Sequence, residues 1–188
     1  MVLTPSNYSV LRKGSVAPNF SLLNIDGKKY SLPKPKEKKG VLVVFMCNHC
    51  PYVKPKMPFL KYLYDTYAKR GLSMFGINSN DTNAYSEDDF ENMKRVSKEQ
   101  GFGFPYLLDE TQEIAKAYGA ACTPDPFLFD SELRLVYHGR IDNAHMQPHE
   151  KATTNELEDA IKQLLEGKKV NVKEEPSIGC NVKWKSKS

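Results

Sequence analysis

The chain has 188 residues, 40% of them hydrophobic, with a formal net charge of +4 and a pI near 8.7. A chain of this size and composition buries a core without disulfide staples, and its four unevenly spaced cysteines exclude the framework of a small secreted protein. No apolar run is long enough to cross a bilayer, and Met1 to Val10 lacks a basic region leading into an apolar stretch.

The lysines gather in a Pro-bearing loop (Lys34, Lys36, Lys38, Lys39) and in a terminal tail (Lys168, Lys169, Lys173, Lys183, Lys185, Lys187), where solvated lysine is the ordinary finding. The expectations are therefore a cytoplasmic address, no membrane span and no nucleic-acid partner.

Phe20 to Leu32 places Asp26-Gly27 between two short arms, which predicts a hairpin because glycine tolerates positive φ in the turn. Pro33 to Gly40 reads as a charged linker. The run Val41-Leu42-Val43-Val44-Phe45-Met46 predicts a buried parallel strand. Behind it comes a helix with Phe59, Leu63 and Tyr67 on one face, closed by Gly71, and bent near Pro55. Leu72 to Ile77 predicts a second buried strand.

Ser86 with Asp89 predicts a capping box for a helix carrying Phe90, Met93 and Val96 and stopped by Gly101. Pro105 to Leu108 reads as a short strand. Thr111 caps a brief helix with Ile114, Ala117 and Tyr118 on one side and Gly119 at its end. Phe127 to Phe129 and Leu133 to Tyr137 flank Asp130-Ser131-Glu132 as a second hairpin. Thr153 and Glu156 predict a capping box for the last helix, whose inner face is Leu157, Ala160, Ile161, Leu164 and Leu165 before Gly167. The order hairpin, β, α, β, α, short β, α, β, β, α demands an α/β fold with a mixed central sheet and helices on both faces. It forms one domain over residues 1–188, with a core from about 15 to 167 and a lysine-rich tail over 168–188.

Cys47-Asn48-His49-Cys50 stands where the first buried strand turns into a helix. Backbone N–H groups point outward there and the macrodipole favours a thiolate, the reactive form of cysteine. Cys47 is the expected attacking nucleophile. Cys50 follows three residues on, in reach to resolve a mixed disulfide, and is expected to be the less exposed. His49 between them is placed to lower the Cys47 pKa. A zinc site would want two more ligands at close spacing, and Cys122 and Cys180 stand apart, so no metal and no organic cofactor is expected.

With Thr123-Pro124 about seventy residues on, just before Phe127-Leu128-Phe129, and Ala17-Pro18-Asn19-Phe20-Ser21-Leu22 ahead of Asp26-Gly27, the chain resembles the thioredoxin-fold superfamily. It is closest to the redoxin branch of peroxiredoxin-like and thiol:disulfide interchange proteins. The resemblance covers roughly Ser15 to Gly167 and implies a thioredoxin-like fold with an N-terminal β-hairpin extension. It also implies that Pro124 is cis and lies against the cysteine pair, so that Thr123 and Pro124 bind substrate. A cis proline there lets residue 123 offer its N–H and C=O to an extended chain.

Two departures from the family stand out. Thioredoxins carry Trp-Cys-Gly-Pro-Cys and a buried acidic residue in the preceding strand; here Met46 precedes Cys47, and Val43 and Val44 leave that strand without a carboxylate. Peroxiredoxins carry Pro-x-x-x-Thr-x-x-Cys; with Cys50 on the peroxidatic cysteine, Cys47 falls on the threonine and Val43 on the proline.

The expected function is thiol:disulfide oxidoreduction on a protein or small-thiol substrate, with a dithiol electron partner. The alternatives are a thiol peroxidase with Cys50 peroxidatic and Cu(I) handling through Cys47, Cys50 and His49. Cys122 reads as a small core residue and Cys180 as a bystander, although a terminal segment folded back over the site would make it a further resolving thiol. His138, His145 and His149 lack ligand spacing, and Arg140 and Asp142 are expected to pair with each other.

Overall fold

The computed structural model describes Leu3 to Ser186. Its strands are β1 (Leu3–Pro5), β2 (Ser21–Asn24), β3 (Lys29–Ser31), β4 (Gly40–Phe45), β5 (Leu72–Asn78), β6 (Tyr106–Leu108), β7 (Cys122–Thr123), β8 (Asp125–Asp130), β9 (Leu135–His138) and β10 (Ile178–Asn181). The helices are α1 (Met57–Tyr67), α2 (Phe90–Gln100), α3 (Glu113–Tyr118) and α4 (Glu156–Leu165). Seven strands form a mixed sheet in the order β3-β2-β6-β5-β4-β8-β9. β4, β5 and β6 run parallel to one another, while β8 lies antiparallel to β4 in a full six-residue register.

β4 is buried at every position because both its edges are paired and both its faces are covered. Leu42 and Val44, with Met46 just beyond, pack against Leu60 and Leu63 of α1, Met93 of α2 and Leu157 and Ile161 of α4. Val41, Val43 and Phe45 face Tyr118 of α3 and Phe20, Phe127 and Phe129. Burial of such side chains stabilises by about 1.5–3 kcal/mol each, which anchors the strand that delivers the Cys47–Cys50 segment. The expected hairpin forms, with Gly27 at φ 81°, but β2 also pairs antiparallel with β6 and so joins the main sheet.

Several local expectations are corrected. The α-helix begins at Met57, not at the cysteines. Val53 and Lys54 N–H groups donate to the Cys50 carbonyl, and a 3-10 turn at Lys54–Lys56 carries the winding into α1. Pro51, Pro55 and Pro58 remove N–H donors, so the segment winds loosely before it becomes regular.

Neither capping box forms. Asp89 caps α2 by accepting from the Asn92 N–H, and Ser86 belongs to a separate turn. Before α4 the Thr153 N–H donates to Asn143 instead. At α3 the cap comes from Asp109, whose carboxylate accepts from the Ala115 N–H at 2.9 Å; Ala115, not Ala117, is the buried alanine. Arg140 pairs with Glu156, and Asp142 with Lys56 and His149, because Arg140, two residues beyond β9, reaches the first residue of α4.

The largest departure is at the chain's ends. β1, β10 and β7 make a second, three-stranded sheet in that order, so the folded body extends beyond 15–167 on both sides. Within the segment expected as a lysine-rich tail, Ile178–Asn181 forms strand β10 beside Cys122 and Thr123; Lys187 lies outside the described residues. Among the described residues, no helix is long and apolar enough to cross a membrane.

Candidate active site

β4 ends at Phe45, and the cysteine loop, Met46 to Cys50, follows it directly. β7 and β8 meet there at Thr123-Pro124, whose peptide bond is cis. Both sulfurs converge on Thr123: Cys47 Sγ lies 3.7 Å from its Oγ1, and the Cys50 S–H donates to its carbonyl at 3.3 Å. Cys47, Cys50, Thr123 and Pro124 are thus together, as expected. Neither cysteine is the exposed one, since each is 1% exposed or less.

The loop is held by Asp88, a residue that sequence reasoning passed over. Its carboxylate, itself fully buried, accepts from the Asn48 N–H at 2.8 Å, the His49 N–H at 3.3 Å and Asn80 Nδ2 at 2.7 Å, and bonds His49 Nδ1 at 2.6 Å. Asn48 completes the anchor, donating to the Glu87 carbonyl and accepting from the Tyr106 hydroxyl. β4 carries no carboxylate, as its sequence shows, but Asp88 arrives from the turn before α2. In the sequence it is the middle of Glu87-Asp88-Asp89, and nothing local separates it from the other two acids.

His49 is also reassigned. Its ring bonds Asp88 and stacks on Tyr85 at 5.5 Å. The Asp88 hydrogen bond holds the imidazole pKa above its ordinary 6.5, against the opposite pull of burial. Asp88 in turn sits below 3.8: burial pushes it up, but the bonds from His49, Asn80 and Asn48 outweigh burial.

The cysteines titrate as a pair, in the order opposite to that expected. Cys47 is pushed well above the ordinary thiol value by its hydrogen bond to Cys50, by burial and by the Asp88 charge. Cys50 is drawn down to about 5, first by the Cys47 S–H, with help from Thr123 and Cys180 and against burial. When the pair loses its first proton, the charge rests on Cys50 and the Cys47 thiol donates to it.

Cys122 is fully buried beside Cys47–Cys50 but points to the Pro124 and Ser177 carbonyls, at 4.0 and 3.9 Å, and burial pushes its pKa strongly up. Cys180 lies opposite Thr123 in the β10–β7 register, so it is part of the site and not a bystander. His138 bonds Asp125 and His149 bonds Asp142, each away from the sulfurs.

Among the described residues, the one group of three donors close enough to share a metal ion is Cys47, His49 and Asp88, all within 4.8 Å. It replaces Cys50 of the expected copper set with a carboxylate already engaged by three N–H donors, a poor match to soft Cu(I).

A sequence profile of the AhpC/TSA family matches residues 13–138. The thiol-disulfide oxidoreductase ResA of Bacillus thuringiensis (strain Al Hakam) is 29% identical over 123 residues, covering 65% of this chain and 66% of that protein, just under two thirds of its length. The crystal structure of an uncharacterized conserved protein from Geobacillus kaustophilus is 43% identical, with a TM-score of 0.91 over 100% of this chain and 99% of the other. The thioredoxin domain of a thiol-disulfide oxidoreductase from Bacteroides vulgatus superposes with a TM-score of 0.58 over 68% of this chain and 88% of its own, at 24% identity. The fold is thioredoxin-like.

Proposed function

The chain belongs to the AhpC/TSA family, and from that premise we propose that it is a thiol:disulfide oxidoreductase working through Cys47 and Cys50. One observation carries the reading: two sulfurs meet at Thr123, the residue before a cis proline. The name of the ResA relative supports the same chemistry.

Cys47 attacks a substrate disulfide, forming a mixed disulfide and releasing one substrate thiolate. Its proton passes to Cys50 or to the Asp88–His49 pair beside it. Cys50 then attacks the Cys47 sulfur, closing Cys47–Cys50 and freeing the second substrate thiol, and a dithiol partner restores the pair.

The test is reduction of a peptide–glutathione mixed disulfide by wild type, Cys47→Ser and Cys50→Ser. Cys47→Ser is expected to abolish attack, and Cys50→Ser to stall as the mixed disulfide. Full turnover by Cys47→Ser sinks the assignment. The potential of the couple reads the direction of flow, with about −270 mV marking a reductant and about −120 mV an oxidant.

The low pKa of Cys50 favours a second reading, thiol peroxidation with Cys50 attacking peroxide and Cys47 resolving. Peroxide consumption that survives in Cys47→Ser with an added thiol selects it. The proposed address is the cytoplasm, on cysteine usage, with cell fractionation as its test.

A further inference from the structure

The Thr123 edge that would pair with an extended substrate is occupied by the chain's own β10. Cys180 stands opposite Thr123 and Asn181 opposite Cys122, and Cys180 is only 2% exposed. The Cys50 sulfur lies 3.3 Å from the carbonyl of that same Thr123, and the thiol and backbone N–H of Cys180 help to draw the Cys50 pKa down. Three sulfurs therefore gather around one residue.

The approach is close. A Cβ on Gly179 would lie 1.9 Å from the Thr123 carbonyl oxygen and 2.8 Å from its carbon, so only glycine lets the strands meet at this separation. The strand is latched on both sides of the cysteine. Ser177 Oγ donates to the Pro124 carbonyl at 2.5 Å, the Val182 N–H to Ala121 O at 3.1 Å, and the Lys183 N–H to Asn80 Oδ1 at 2.9 Å. Through Asn80 the latch reaches Asp88, the carboxylate that holds the cysteine loop.

Resting on the thiol:disulfide reading above, we propose that Cys180 is a third redox thiol, exchanging with the Cys47–Cys50 disulfide to give a Cys50–Cys180 disulfide that staples β10 over the site. In the exchange Cys180 gives up its proton and its sulfur attacks that of Cys50. The Cys50–Cys180 bond forms, the Cys47–Cys50 bond breaks with its electron pair on Cys47, and Cys47 takes up the proton. One thiol and one disulfide enter and one of each leaves, so no outside oxidant or reductant is consumed.

Burial, and then Cys50, push the Cys180 pKa up to about 12. The Cys50 contribution vanishes once Cys50 is in a disulfide, so Cys180 ionises more readily in the form that exchanges. Cys122, turned towards carbonyl oxygens, takes no part.

Trypsin separates the players, with Cys47 and Cys50 in peptide 40–56, Cys122 in 117–134 and Cys180 in 174–183. Wild type and Cys47→Ser are oxidised with glutathione disulfide, acid-quenched, alkylated and mapped by mass spectrometry. The expected result is peptide 40–56 joined to 174–183 as the main product in Cys47→Ser and as a detectable fraction in wild type, so that a poorly folded variant does not decide the matter. Gly179→Ala, checked for folding by circular dichroism, is expected to lose the joined product and to raise Cys50 alkylation at least about tenfold as the strand lifts.

The proposal is overturned if Cys180 is fully alkylated in both proteins while wild type still closes Cys47–Cys50. If wild type closes no disulfide at all, the oxidoreductase reading falls with it.

Discussion

Asp88 and Asp142 are both buried carboxylates bonded to a histidine Nδ1, at 2.6 and 2.8 Å. They differ in what else faces them. Asp142 meets Lys56 Nζ at 2.6 Å, a lysine only 2% exposed, and accepts from the Ala144 N–H; His149 lies flat on Phe59. Among the described residues Asp88 meets no lysine or arginine: its charge is balanced by amide N–H groups of the cysteine loop, by Asn80 and by the imidazole of His49. One carboxylate is matched by a fixed cation and ties α1 to the β9–α4 connection. The other is left with a partner that titrates, next to sulfurs that titrate. A buried carboxylate becomes responsive when its compensation is itself a proton acceptor.

The contrast is broken most directly by Lys56→Met. This leaves Asp142 without its fixed cation and is expected to lower stability by about 3–5 kcal/mol, read by denaturant unfolding, with the thiol chemistry of the folded protein intact. A loss under about 1 kcal/mol would mean that His149 alone suffices and that the two sites are alike.

Asp88→Asn keeps the shape and removes the charge, with an expected loss of about 1.5–3 kcal/mol from weakened hydrogen bonds to a charged acceptor. Of the influences that raise Cys47, namely the Cys50 hydrogen bond, burial and Asp88, only the last disappears. Cys47 should therefore ionise at lower pH, followed by thiolate absorbance; movement to higher pH contradicts the account.

The pH dependence sharpens the comparison further. His49 is raised, chiefly by its Asp88 bond, so its contribution is complete below pH 6.5 and fades as pH rises through the higher folded value. Asp88 is lowered despite burial, so its contribution is complete above pH 3.8 and fades as pH falls through the lower folded value. Stability measured across pH should decline at both ends, by about 1.4 kcal/mol for every tenfold difference in proton affinity between the folded and unfolded chain, and Asp88→Asn should flatten both limbs.

The smallest effect calibrates the rest. Glu158 accepts from the buried Tyr67 hydroxyl at 2.7 Å and the half-exposed Tyr62 hydroxyl at 3.1 Å. Tyr67→Phe should cost about 1 kcal/mol and Tyr62→Phe less than about 0.5, measured as denaturation midpoints. Equal losses would show that burial does not set the scale.

Local pattern alone determined the parts of this protein that depend on which face of an element is apolar. The run from Val41 to Met46 dictates a doubly covered strand, Asp26-Gly27 a hairpin, and the Leu157 to Leu165 stripe a helix lying on the sheet. The cysteine pair at the end of that strand, with Thr123-Pro124 ahead of the next, is legible for the same reason. Which polar groups meet was decided only in three dimensions. Asp88 rather than Asp89 reaches the cysteine loop, Arg140 goes to Glu156 rather than Asp142, and Cys180 crosses to Thr123. Apolar periodicity records that a face is buried but not what covers it, and a polar side chain finds its partner only where distant segments of chain cross.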